Sequence, residues 1–478
     1  MTSPELLSVA SLSKVTRTQR VEKYVGILPR LSPFKFVFIY AVMTVLWISI
    51  TSPSDRWLNW YISIMWSLYL PAALIGVGRV LVKGKSVVVQ SNFRGMTSHK
   101  VIFVVPTVCR QNTLPALKRV IVSIVKYAPR NLLVWRVDIV VDEGAEAVGD
   151  LAEFVSCFKE VRILVVPSSY RTKLDTKYKA RANHYAAEQR RQEGDATDKV
   201  YVYHLDDDTH IGEDTAASIA EFIRRYHGKY FLAQGILTFP HELSPSVFCR
   251  LADSIRPADD VTRCGLFTGD LGTPLAGLHG EHLLIRADIE NIIGWDFGDT
   301  LVEDAFFALR FAELYPHKSR VLHSFSYGAS PGTIRDLIRQ RRRWAAGLFG
   351  LIWGKNNISF RMKLPLMYMM ICWVCGPFHF VGFVLIVAWL SGTGNTSPVV
   401  LWGIFPWTFS LAFSVWQYIE GLKINMAVSE QQEHYFLLSL ALIPLIYLFA
   451  LVEGFAALCG FARFIKKDLS FEVIRKES

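Results

Sequence analysis

The chain has no second cysteine pair to accompany Cys372 and Cys375, and its seven cysteines are odd in number and scattered, several in apolar segments. Without further ligands at short spacing, that CxxC reads as packing inside an apolar run rather than as a zinc site. Charge is scarce where the apolar residues gather: Phe34 to Ile50, Asn59 to Val82, Leu364 to Leu390, Pro398 to Tyr418 and Tyr435 to Phe461 are almost uncharged runs of membrane-spanning length. No cleaved leader is read from the first run, which starts too far from Met1 and is soon followed by a second. An acidic balance is missing too. Lys and Arg number 52 against 42 Asp and Glu, a net charge of +10. Basic patches beside apolar helices point to anionic lipid, not nucleic acid, as the partner.

What is present is 478 residues, 51% of them hydrophobic, with the apolar excess at the two ends. Arg30 and Lys35 precede the first run and Lys83 and Lys85 follow the second, whereas the loop between carries only Asp55 and Arg56. The positive-inside rule then predicts a hairpin with both ends cytosolic. Three single crossings in the C-terminal half would put Arg463 to Asp468 outside, against that rule. One run is therefore expected to be re-entrant, interfacial or doubled, with Gly376-Pro377 and Glu453 as candidate breaks. The expected organisation is a cytosolic arm (1–33), a transmembrane hairpin (34–82), a cytosolic α/β domain (83–330), interface helices (331–363), C-terminal transmembrane helices (364–461) and a cytosolic tail (462–478).

The middle of the chain centres on Val200 to Thr209, VYVYHLDDDT, an apolar strand running into Asp206, Asp207 and Asp208. Three adjacent carboxylates repel unless a cation neutralises them, and oxygen-only ligands suit Mg2+ or Mn2+; a solvated acidic turn has the same letters. Val101 to Val105 ends in Pro106-Thr107, Arg136 to Val141 ends in Asp142, and Arg162 to Val166 ends in Pro167. Helical stretches separate these strands, which predicts a parallel, doubly wound sheet buried on both faces. Ligands bind beyond the carboxyl ends of such strands, so Asp142 and Asp206 to Asp208 would face one crevice.

Five further segments are candidates. Lys179 and Arg181 in KYKARAN (Lys177 to Asn183) can offer cationic charge to a diphosphate, or simply form a wet basic face. His241 to Asp270 has a roughly helical period suited to a membrane surface, and LHGEHLLIR (Leu278 to Arg286) places His279, Glu281 and His282 before a strand, as an acceptor-contacting loop or a metal site. Glu303 and Asp304 begin a helical pattern whose dipole favours the ionised carboxylate, which would leave one of them free to accept a proton. Gln340, Arg343 and Trp344 of QRRRW share a helix face, where an arginine and an indole can hold a phosphate and a ring. Lipid headgroups would account for Arg341 and Arg342.

In order, the Pro-Thr strand end, the second-strand Asp, Lys-Ala with Asn, DxD, the Glu-Asp pair and QxxRW resemble the membrane-embedded family-2 glycosyltransferases, over about Val101 to Trp344. The resemblance implies a GT-A catalytic domain and inverting transfer from a nucleotide sugar. Pro106, Thr107 and Asp142 would contact the nucleotide, and Asp206, Asp207 and Lys179 the donor. Asp206 and Asp208 would hold the Mg2+ or Mn2+ ion. Asp304, with Glu303 beside it, would be the general base; Gln340, Arg343 and Trp344 would bind the diphosphate, Trp344 also lining the acceptor site with His279 and Glu281. Val302 departs from the family's usual Thr. At the C-terminus, Phe471, Val473 and Lys476 are similar to an FxVTxK gating loop, with Ile474 in place of Thr.

Within the family, the HGE loop and CRLADSIRPADD (Cys249 to Asp260) look like the egghead-type β-1,4-mannosyltransferases. That likeness implies a multi-pass membrane protein moving mannose from GDP-mannose, rather than a sugar from a UDP donor, to a membrane glycolipid. A processive polysaccharide synthase secreting its polymer is the alternative. A non-catalytic scaffold or transporter is a third reading, disfavoured by the intact acidic and QRRRW motifs.

Overall fold

The computed structural model describes residues 33–50, 64, 67–83, 93–381, 384, 401–429, 434–468 and 470. The gating-like residues Phe471, Val473 and Lys476 and the N-terminal arm up to residue 32 lie outside them, as does the loop between the first two apolar runs.

Eight strands form one sheet: β1 (Thr97–Thr107), β2 (Leu132–Asp142), β3 (Val161–Val166), β4 (Val200–His204), β5 (His210–Ile211), β6 (Leu232–Thr238), β7 (Leu283–Arg286) and β8 (Ser319–Tyr327). Their order across the sheet is β3-β2-β1-β4-β7-β6-β8-β5. β1 pairs in parallel with both β2 and β4, with Phe103 opposite Val137 and Tyr203. The apolar runs are continuous because both faces are covered. Val101, Phe103 and Val105 pack on one side with Leu117 and Ile121 of the helix Leu114–Tyr127 and Phe222 of Glu213–Tyr226. Ile102 and Val104 pack on the other with Ala186 of Tyr178–Gln192 and Phe307 and Phe311 of Glu303–Leu314. This is the doubly wound α/β arrangement expected from the alternation of strands and helices.

The sheet is mixed rather than parallel throughout, because β7 runs antiparallel to both β4 and β6. The chain leaves β6 at Thr238 and passes through the helices Val247–Asp253 and Ile255–Asp259 and a π-helical stretch, Asp260–Asp270. It re-enters the sheet at Leu283 from that same side, and a strand entered from the end its neighbour left must run the other way. Beneath β4 and β7 an ionised pair is fully buried: Arg190 Nη2 lies 2.6 Å from Glu290, whose carboxylate also receives the Trp295 indole N–H at 2.7 Å. Those partners offset part of the cost of burying the two charges.

Among the described residues, Phe360–Val381 and Tyr435–Ile465 are long and apolar enough to cross a membrane. The first of these is interrupted at Cys375, just ahead of Gly376-Pro377. Gly376 and Gly454 meet there, and a side chain on either would collide with the Ala450 carbonyl or with Pro377, so glycine permits the close helix approach. Glu453 does not break its helix, which runs unbroken from Tyr435 to Ile465. Its carboxylate accepts a hydrogen bond from Arg341 Nε at 3.0 Å. All seven cysteines are free thiols.

Candidate active site

The site lies at the carboxyl ends of β1, β2 and β4, where parallel register brings distant residues side by side. Thr107, ending β1, donates from its hydroxyl to Asp207 Oδ2 at 2.6 Å. Asp207 thus ties two strand ends together. Asp142, at the end of β2, meets Arg181 Nη1 at 2.5 Å, and Arg181 Nη2 also donates to the Pro167 carbonyl at 2.7 Å.

One carboxylate oxygen each from Asp206, Asp208 and Glu281 lie within 4.8 Å of one another. Three oxygen donors converging beyond a strand end fit a hard divalent cation such as Mg2+ or Mn2+. Glu281, expected from the sequence at the acceptor, lies beside the two aspartates in the same cavity and receives the Thr209 hydroxyl. Lys179 enters from the first turn of Tyr178–Gln192; its ammonium pairs with Asp206 and donates to the Gly280 carbonyl at 2.7 Å. It is also 4.0 Å from Glu303. The lysine is thus set among the acidic groups.

Glu303 and Asp304 open the helix Glu303–Leu314, and Asp304 Oδ1 accepts from the Ala305 N–H at 2.7 Å. The helix dipole favours ionisation, as the sequence suggested, but burial outweighs it. Burial and the adjacent Asp304 charge push Glu303 up to about 7. Asp304 is also raised by burial, with the Lys179 ammonium pulling against the shift. Val302, standing where the resembled family has Thr, is buried; a Cβ on Gly347 of the QRRRW helix would come 2.7 Å from its Cγ1. The valine and the glycine are complementary in volume, and the helix closes on the acid pair through them.

The QRRRW helix, Ile334–Trp353, is capped by Thr333, whose hydroxyl accepts from the Asp336 N–H at 3.1 Å. Gln340, Arg343 and Trp344 line the same cavity as Asp206, Asp208 and Asp304. That cavity has a volume of about 710 Å³ and continues between the apolar helices, past Tyr69, Trp373, Gln417 and Tyr418. Pro106, Thr107 and Asp142 stand at its other end.

The two loop histidines separate in role. His279 lines the cavity and pairs through Nε2 with Asp260 Oδ1 at 2.5 Å. Burial disfavours its charged form, but the Asp260 carboxylate more than offsets this and holds it above the usual histidine range. His282 is a core residue, held between the Tyr203 hydroxyl and, at 2.9 Å, the Ser324 carbonyl. Burial lowers it to about 4, and both ring nitrogens are engaged, so it is not a metal ligand here. Arg341, Asp253 and Asp260 were not singled out by sequence reasoning as site residues. Only the CRLADSIRPADD stretch, which contains both aspartates, carried a signal for them.

With burial raising both carboxyls, the base form of Asp304 is gained above the ordinary carboxylate range. The acid limb of kcat/KM is therefore expected above the ordinary carboxylate value of about 4. Glu303→Gln leaves in place the burial that raises Asp304 and should keep the limb above that value. A pH–rate profile of both proteins checks this; a wild-type limb near 4 rules it out.

Residues 201–414 match the family model described as glycosyl transferase family group 2. The β-1,4-mannosyltransferase egh of Drosophila melanogaster is 30% identical over 235 residues, covering 48% of this chain and 50% of that protein. The β-1,4-mannosyltransferase bre-3 of Caenorhabditis briggsae is 29% identical over 234 residues, with 48% and 50% covered. The chain thus spans about half the length of the curated relatives it matches. Among solved structures, the mannosyltransferase PcManGT from Pyrobaculum calidifontis, in complex with GDP-Man and Mn2+, aligns at 12% identity and a TM-score of 0.48, covering 86% of this chain and 99% of that one. Residues 201–414 are thus similar to the glycosyl transferase family group 2, and about half of the chain is similar to the egghead-type β-1,4-mannosyltransferases.

Proposed function

We propose that the protein moves mannose from GDP-mannose to a hydroxyl of a membrane glycolipid, with inversion and a β-1,4 linkage. The observation that carries this reading is the one cavity lined by the acidic triad, the Asp304 carboxylate and the QRRRW side chains and also by apolar-helix residues such as Tyr69, Trp373 and Tyr418. Pro106, Thr107 and Asp142 would face the nucleoside. A Mg2+ or Mn2+ ion held by Asp206 and Asp208, with Glu281 alongside, would offset the charge of the diphosphate.

The chain's own groups supply the rest. Arg343 and Gln340 donate N–H groups to the leaving diphosphate, where negative charge grows in the transition state. Asp304 takes the proton of the acceptor hydroxyl as its oxygen attacks the anomeric carbon; the bond from that carbon to the diphosphate oxygen breaks, and its electron pair leaves with GDP. Attack from the face opposite the leaving group turns an α-linked donor into a β-linked product. Trp344 and His279 flank the acceptor. The catalytic domain would face the cytosol, and the protein would be a multi-pass membrane protein whose lipid acceptor reaches the cavity from between the apolar helices.

The test is nucleotide release by the detergent-purified full chain, offered GDP-mannose, UDP-glucose or UDP-N-acetylglucosamine with Mn2+ or Mg2+, with and without a glucosyl lipid. GDP release stimulated by the lipid, with a single-sugar extension of it, is the expected result. UDP release with polymer growth and no lipid requirement would instead make the protein a polysaccharide synthase.

A further inference from the structure

Arg341, the second residue of QRRRW, is only 3% exposed although sequence alone suggests a headgroup-facing cation. Its Nη1 donates to the Gln340 side-chain oxygen at 2.6 Å, its Nη2 pairs with Asp253, and its Nε donates to Glu453 at 3.0 Å. Its guanidinium also stacks over the Trp344 ring, 4.5 Å from the centroid. One buried cation, itself part of the cavity wall, thus touches both Gln340 and Trp344. It is anchored on two other helices, Val247–Asp253 and Tyr435–Ile465.

We propose that Arg341 is a positioning residue for recognition of the donor's diphosphate, acting through Gln340 and Trp344 rather than by touching the donor. A guanidinium carries donors only, so it can meet only the oxygen end of the Gln340 amide. That contact leaves the amide's two N–H donors for the cavity, the polarity an anionic diphosphate requires. The stack, with Arg256 also 5.1 Å from the Trp344 ring centroid, holds the plane of the indole. Asp253, 1% exposed, and Glu453 hold the guanidinium in this orientation. A lysine could keep the ion pair with Asp253, but a single ammonium cannot also fork to Gln340 and Glu453 and lie flat on an indole.

This inference rests on the donor reading proposed above, and the test separates the two. GDP affinity is measured by calorimetry with Mn2+ on the detergent-purified full chain, alongside the thermal midpoint. Arg341→Lys is expected to weaken GDP binding by about tenfold. In a Gln340→Ala/Trp344→Ala background the same change should alter affinity by less than about twofold, because its route to the ligand is gone. Glu453→Gln, which leaves Arg341 its Asp253 partner, should weaken GDP binding in the same direction by a smaller factor, and it serves where Arg341→Lys lowers the midpoint. Unchanged GDP affinity in both single variants, or an undiminished loss in the double-substituted background, overturns the assignment. Absence of GDP and UDP binding by the unsubstituted protein removes the donor reading, and this assignment with it.

Discussion

Asp304→Asn is expected to lower sugar transfer by about 10³-fold while leaving GDP affinity within about twofold. The amide has nearly the shape of the carboxyl group, and its oxygen can still accept from the Ala305 N–H that now meets Asp304 Oδ1. What it loses is the basic lone pair that takes the acceptor proton. Single-turnover transfer and GDP calorimetry on the same preparation check both halves. Retained turnover removes Asp304 as the base, and a parallel loss of GDP binding would mean that the substitution had disturbed the pocket instead. Glu303, held near 7 by burial and by the Asp304 charge, is partly protonated at neutral pH. Glu303→Gln should therefore cost much less than Asp304→Asn.

Asp208→Ala is expected to weaken Mn2+ binding by at least about 10²-fold and to abolish transfer at ordinary Mn2+ concentrations. Electron paramagnetic resonance of free Mn2+ reads the affinity directly, without turnover. The metal-free protein should melt at the same temperature or slightly higher, because the substitution relieves repulsion among Asp206, Asp208 and Glu281. A lower midpoint with unchanged Mn2+ affinity would make the cluster structural. Glu281→Gln keeps an oxygen ligand but loses its charge, and should weaken Mn2+ by about tenfold.

The parts of this site that could be read in the sequence are those set by local pattern. Val101 to Val105 and Val200 to His204 are apolar without alternation, which marks strands covered on both faces, and the polar groups that end them fall where strand ends must lie. Gln340, Arg343 and Trp344 share a face through helical spacing alone. The Glu303-Asp304 pair was visible as a helix start, yet its ionisation was not: the dipole acts within one turn, whereas burial comes from every segment packed around it. His279 and His282 are three residues apart in one loop, and only packing separates a cavity-lining imidazole from a core one.

Arg341 marks the limit most clearly. Its carboxylate partners are 88 residues earlier and 112 residues later, and no periodicity connects positions so far apart. Glu281 is similar. Its proximity to Asp206 follows from β7 running antiparallel beside β4, a direction set by the route of the chain after β6. The sequence by itself therefore determined the elements, the order of the motifs and the residue types delivered to each strand end, since these depend on period and on near neighbours. The tertiary structure alone decided which carboxylates converge, which are driven toward protonation and which arginine is buried. Those are sums over distant segments, and no stretch of the chain contains them until it is folded.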